Sequence, residues 1–170
     1  MSKGIWKEFI IMIIILFILV MCITQGFCGE SGLDVDMDTI ALIESGNRDM
    51  AYNPRTKATG KYQITPICLE DFKMFANPPE EVQNWTMNDM FDGWKSGILA
   101  MWYLNERIPQ MLRAYKIPDT LETRLIAYSW GIGNLKKFND KYLGQKIENT
   151  LKYLPKETRN YIKKYRRLTK

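Results

Sequence analysis

A glutamate closes the apolar run Ile40-Ala41-Leu42-Ile43-Glu44, and the loop that follows, SGNRDMAYNPRTKATGKYQITP, is rich in glycine, asparagine and proline. A carboxyl group on an apolar turn is costly to ionise unless it is paired. Desolvation raises its pKa, and a carboxyl that keeps its proton near neutral pH is a general acid. The sequence contains no histidine, so no Ser-His-Asp or Cys-His triad can be built and no histidine can ligate zinc, iron or haem. Acid–base chemistry falls to Asp, Glu, Lys, Tyr or Cys. Three scattered cysteines, Cys22, Cys28 and Cys68, make neither a zinc ribbon nor a disulfide framework. A lone glutamate at a helix end is more often simply solvated, so Glu44 must draw its weight from the elements around it.

Those elements read as helical. Asp36 or Asp38 caps a helix through Met37, Ile40, Ala41 and Glu44 that ends near Gly46. Thr65-Pro66 is an N-cap followed by proline in the first turn, and its helix turns Leu69, Phe72 and Phe75 inward. From Thr86, the residues Met90, Phe91, Trp94, Ile98, Met101 and Leu104 recur at spacings of three and four until Pro109 restarts or bends the chain. Asp119 and Glu122 form an Asp-x-x-Glu capping box before Leu121, Leu125, Ile126 and Tyr128, and Gly131 stops that helix. Pro155 opens a last helix with Tyr161, Ile162 and Tyr165 on one side. Only residues 47 to 64 read as irregular or short-stranded. The expectation is one mainly α domain over residues 29–170. A short irregular or β loop region follows its first helix.

Residues 1–28 have a different character. Phe9 to Ile23 are fifteen consecutive apolar residues behind Lys3 and Lys7, which predicts a signal peptide or a retained signal anchor, and hence export. Charge is also uneven. Residues 156–170 carry seven basic groups and one acidic, whereas residues 29–155 carry fifteen basic and seventeen acidic, so the net charge of +5 is a property of the C-terminal end. Such an end suits an anionic glycan or a phospholipid surface, and cations also suit a helix C-terminus. Export argues against nucleic acid as a partner. Cys68 sits among Ile67, Leu69 and Phe72 as a buried thiol, with a Cys28–Cys68 disulfide as the alternative in an oxidising compartment. Trp94 and Trp102, at helical spacing, read as core; Trp130, beside Tyr128, reads as a cleft wall.

Four segments in chain order resemble the lytic transglycosylases of the Slt (soluble lytic transglycosylase) type, whose fold is goose-type-lysozyme-like. Glu44-Ser45 matches the family's Glu-Ser motif and Gly60-Lys61-Tyr62-Gln63-Ile64 its Gly-Leu-Met-Gln-Ile motif. Ala127-Tyr128-Ser129-Trp130-Gly131 matches Ala-Tyr-Asn-Ala-Gly, and Glu157-Thr158-Arg159-Asn160-Tyr161-Ile162 matches Glu-Thr-Arg-x-Tyr-Val. The resemblance implies cleavage of the β-1,4 bond between N-acetylmuramic acid and N-acetylglucosamine in peptidoglycan, ending in a 1,6-anhydro product. It implies Glu44 as the single acid/base, assisted by the substrate's own N-acetyl group. Contacts to the glycan or to the glutamate are implied for Ser45, Tyr62, Gln63, Tyr128, Ser129 and Tyr161, with Ser45 also suited to holding the loop backbone. No metal or organic cofactor is implied.

Three departures touch the cleft. Lys61-Tyr62 stands for Leu-Met, Ser129-Trp130 for Asn-Ala, and Ile132 stands where proline is common. Thr56 and Thr59 compete for a substrate-facing hydroxyl position. The expected partners are peptidoglycan strands, the membrane through residues 1–28 if these are retained, and a secretion or conjugation apparatus. The expected location is the periplasm or cell envelope, with anchoring in the inner membrane if the segment stays. The rival readings are a muramidase of the same fold, a non-catalytic glycan-binding component of such an apparatus, and an accessory lipid-binding tail at residues 156–170.

Overall fold

The computed structural model describes residue 33, residues 35–142 and residues 145–170. The apolar run at 9–23, and with it the expected signal and the Cys28 half of any disulfide, lies outside the described residues. Among the described residues no helix is long and apolar enough to cross a membrane.

Helix α1 (Met37–Ser45) begins where Asp36 accepts the amides of Asp38 and Thr39 and the Thr39 hydroxyl, a fully used N-cap. It ends at Gly46, whose φ of +67° returns amide bonds to Ala41 and Leu42. A short hairpin follows, β1 (Tyr52–Asn53) antiparallel to β2 (Ala58–Thr59), with Tyr52 opposite Thr59. Helix α2 (Pro66–Phe75) is capped by Thr65, as its sequence predicts. A short α3 (Glu80–Gln83) leads to a 3-10 turn at Met87–Phe91, closed by a Thr86/Asp89 capping box.

The expected long helix from Thr86 is in fact broken. After that 3-10 turn, Asp92 caps a separate α4 (Gly93–Trp102), and a π turn at Tyr103–Arg107 joins it to α5 (Ile108–Ala114). The Ile108 amide reaches back to the Tyr103 carbonyl, five residues away. This wider step comes immediately before Pro109, which has no amide to continue an i to i−4 ladder. The remaining elements are α6 (Leu121–Trp130), α7 (Ile132–Lys141), α8 (Ile147–Thr150), a 3-10 turn at Leu151–Tyr153, and α9 (Lys156–Leu168). The chain is mainly helical around one core, as the sequence predicts. Ile40, Leu99, Leu104, Ile108, Leu112, Leu125 and Ile126 are fully enclosed there, each worth about 1.5–3 kcal/mol.

Several local expectations are corrected. The α6 box is Thr120/Thr123, because Asp119 instead grips Arg124 through two bonds of 2.7 and 2.9 Å and Glu122 pairs with Arg166. Asp119 is drawn off the helix end by almost wholly buried Arg124, which needs a partner, while Glu122 reaches exposed Arg166 from its place in the first turn. Phe75 and Trp94 are exposed, at 50% and 70%, and Met101 is 51% exposed. Phe75 lies under the Arg107 guanidinium at 3.6 Å, while Trp94 meets the edge of buried Trp85 at the rim. Trp102 is core, in edge contact with Phe72. Pro155 precedes α9 as its N-cap residue, and the helix proper opens on Lys156.

Helix α9 packs on both α1 and α6. The Tyr165 hydroxyl accepts the Asp36 amide at 2.7 Å, which fixes the start of α1 against α9. This three-helix contact brings residues 44, 128 and 161 together.

Candidate active site

Glu44 occupies the last turn of α1, held at its depth by enclosed Ile40 and Ala41 on the same helix. Its Oε1 accepts the Tyr161 hydroxyl from α9 at 2.9 Å. Burial pushes its pKa up from 4.5 to about 7. The Tyr161 hydrogen bond and the Lys164 charge both act in the opposite direction. Burial likewise raises the Tyr128 and Tyr161 phenols well above their usual range, the neighbouring Glu44 charge adding to the effect, so both remain O–H donors. A half-enclosed acid with a pKa near 7, and with a neutral donor on one oxygen, has a proton to give and a stabilised anion after giving it.

The carboxyl opens into a cavity of about 580 Å³. Asn53, Thr56 and Ala58 of the hairpin line one part of it and Gln63 to Thr65 the next. Tyr103 of the π turn lines it too, and Tyr128 to Gly133 form the α6–α7 corner. Gly131, with φ of +91°, makes that corner possible by ending α6 in a backbone conformation that residues with a side chain rarely adopt. Trp130 stands on the cavity wall, as expected. Of the competing threonines Thr56 lines the cavity, while Thr59 is buried and donates to the Lys57 carbonyl.

The remaining predicted residues divide into two groups. Gln63 and Ser129 line the cavity. Gln63 sits at φ +51° and its Nε2 donates to the Gly60 carbonyl at 3.0 Å, so its Oε1 is left for a ligand donor. The Ser129 hydroxyl donates to the Leu125 carbonyl. Tyr62, Ser45 and Tyr161 are not among the lining residues. The Tyr62 ring is buried, and its carbonyl accepts the Tyr128 hydroxyl at 2.8 Å. Buried Ser45 donates to the Lys61 carbonyl at 2.8 Å and accepts the Arg48 amide, tying the end of α1 to the Gly60–Ile64 segment.

Sequence reasoning missed two residues. Glu157 lines the same cavity from the first turn of α9. It lies inside a matched motif, and its position four residues before Tyr161 places it on the Tyr161 side of a helix. Tyr103 carries no local signal, because only the π turn directs it to the cavity. Cys68 lines the wall with its thiol pKa pushed far up by burial, so it is inert there. Among the described residues no cluster of His, Cys, Asp and Glu could hold a metal ion.

The family model for the transglycosylase SLT domain matches residues 35–151. The chain belongs to the transglycosylase SLT domain family. Membership places it among transglycosylases acting on peptidoglycan, and the SLT match covers α1, the hairpin, the π turn and α6. It stops before α9, so Glu157 and Tyr161, which geometry brings to the cavity and to Glu44, lie outside the matched residues. No curated protein and no solved structure matches the chain.

Proposed function

We propose that this SLT domain is a lytic transglycosylase that cleaves the N-acetylmuramic acid to N-acetylglucosamine β-1,4 bond and leaves 1,6-anhydro ends, with Glu44 as its single acid/base. The observation that carries the reading is Glu44 itself: a carboxyl with a pKa near 7, hydrogen-bonded by Tyr161, opening into the cavity. Glu44 gives its proton to the glycosidic oxygen as that bond breaks. The substrate's N-acetyl oxygen stabilises the cationic C1, a substrate-assisted route that needs no carboxylate nucleophile. Glu44, now a carboxylate held by the Tyr161 O–H, takes the proton of the C6 hydroxyl as its oxygen closes on C1. Proton count is restored and no water is consumed.

Gln63 Oε1 accepts from a sugar N-acetyl amide in this scheme, and Trp130 offers a ring face to a pyranose. Tyr128 and Ser45 hold the backbone of Lys61 and Tyr62, and through it the position of Gln63. Residues 1–28 act as an export signal or membrane anchor, placing the domain in the periplasm or cell envelope.

Glu157 supports a second reading, a muramidase of the same fold, because a second carboxylate on the cavity wall could orient water toward C1. Digestion of purified sacculi followed by mass spectrometry separates the two. Anhydro-ended muropeptides are expected, and reducing ends alone would replace the lyase reading with the hydrolase.

A further inference from the structure

A second cavity, of about 330 Å³, lies against the same hairpin that walls the catalytic one, and its size suits a small ligand. Neighbouring residues divide between the two. Asn53, Thr56, Ala58 and Thr65 line the catalytic cavity, while Tyr52, Lys57, Thr59 and Pro66 line the second. The strand residues follow the alternation of a pleated strand, with Tyr52 opposite Thr59 and Asn53 opposite Ala58. The hairpin is thus the common wall of both cavities, and a sheet with its side chains is about 10 Å thick. The 3-10 turn supplies the rest of the lining, Met87, Asn88 and Phe91. Tyr52, Pro66, Met87 and Phe91 make the second cavity largely apolar. Its polar groups are uncommitted. Among the described residues Lys57 has no ion pair, and the Asn88 side-chain amide and the Tyr52 hydroxyl have no hydrogen bond.

We propose that the second cavity seats the stem peptide carried by the muramic acid whose glycosidic bond lies at Glu44. The proposal rests on the reading of peptidoglycan as the substrate. A stem peptide combines small methyl side chains with free carboxylates along a chain of amides. The apolar lining receives the methyl groups, Lys57 a carboxylate, and the Asn88 side chain a peptide group. Charge complementarity favours this occupant. The catalytic cavity has no cation among its described lining residues, so a stem carboxylate finds no partner there and finds one at Lys57. Reach agrees. The stem starts at the sugar in the catalytic cavity, and about four or five extended residues span roughly 13–18 Å, enough to pass the hairpin. Thr56 and Lys57, adjacent at the hairpin turn, line one cavity each.

Calorimetric titration tests this, using the full chain carrying Glu44→Gln so that the polymer survives. The ligands are soluble, uncrosslinked peptidoglycan strands and the same strands stripped of their stems by an amidase. The parent is expected to bind intact strands about tenfold more tightly than stripped ones. Adding Tyr52→Ala and Lys57→Gln should abolish that preference, with stripped strands bound equally by both proteins. A preference undiminished in this variant, or a parent that binds both strands alike, overturns the proposal. So does an acidic tetrapeptide of L-residues that binds the parent as tightly as the free stem peptide and loses its binding in the variant, since that assigns the cavity to a protein segment. If the chain with Glu44 intact turns over neither strand while the preference holds, the transglycosylase reading fails and this one stands. Turnover without the preference has the reverse meaning. A thermal melt accompanies each protein. If the variant has no cooperative melt, Lys57→Gln without the Tyr52 change is read in the same way.

Discussion

The Tyr161 hydroxyl donates to Oε1 of Glu44 at 2.9 Å, joining α9 to α1 across 117 residues of chain. The bond favours the ionised carboxylate and so opposes the burial that keeps Glu44 protonated. Removing it in Tyr161→Phe is expected to shift the alkaline limb of the pH–rate profile upward and to lower the maximal rate about tenfold, the worth of one buried hydrogen bond to a charged group. A pH–rate series on both proteins measures the shift. A limb that stays in place at a reduced rate would give Tyr161 a packing role only.

Glu44 should also be visible in stability. Its folded pKa, about 7, lies above the 4.5 of an ordinary glutamate. Between those values the folded state holds a proton that the unfolded state has released. Stability is therefore full below about pH 4.5, falls as pH rises toward 7 and is level beyond, a loss of roughly 3 kcal/mol at most. Glu44→Gln cannot ionise, so it should melt above the wild type at pH 8 and close to it at pH 4. Urea titrations at the two pH values give the difference, and a constant difference would deny the raised pKa.

Lys164 lowers the Glu44 pKa by its charge alone. Lys164→Gln should raise the alkaline limb, and Lys164→Arg should leave it near its wild-type position. Neither change should alter the melting temperature much, since Lys164 is exposed.

Gly60 tests the loop that presents Gln63. Its φ is +80°, and a Cβ there would stand 1.8 Å from the Met90 carbonyl oxygen. Gly60→Ala must therefore move the loop or the 3-10 turn. A destabilisation of about 3 kcal/mol, near 10 °C in melting temperature, is expected, with turnover falling as Gln63 loses its anchor on the Gly60 carbonyl.

Helix ends were the most legible features, because caps are local chemistry. Asp36, Gly46, Thr65 and Gly131 each act where their residue types predict. The α6 box failed because Asp119 answers to Arg124, which is fixed by tertiary packing, and Thr120 takes the cap position instead. Trp94 and Phe75 failed because apolar spacing says that a helix has a face, not where the core ends. Trp94→Ala should accordingly cost far less than Trp102→Ala, for which about 3–5 kcal/mol is expected in a chemical denaturation series. Helix α7 has the helical spacing, in Ile132, Leu135 and Phe138, but it starts directly after Gly131, which reads as the stop of α6, and no side chain caps it. At the site, Glu44 was legible from its apolar turn and motif. Tyr103 was not, since it reaches the cavity only through the π turn, whereas Glu157 carried a signal in its place four residues before Tyr161.

The central claim is that one buried carboxyl does the chemistry, and turnover of purified sacculi by wild type and Glu44→Gln, both shown folded by their melts, tests it most directly. The account predicts release of anhydro-muropeptides by the wild type and a rate lower by roughly a hundredfold to ten-thousandfold in the variant. A variant that retains activity within a few fold of the wild type would contradict it.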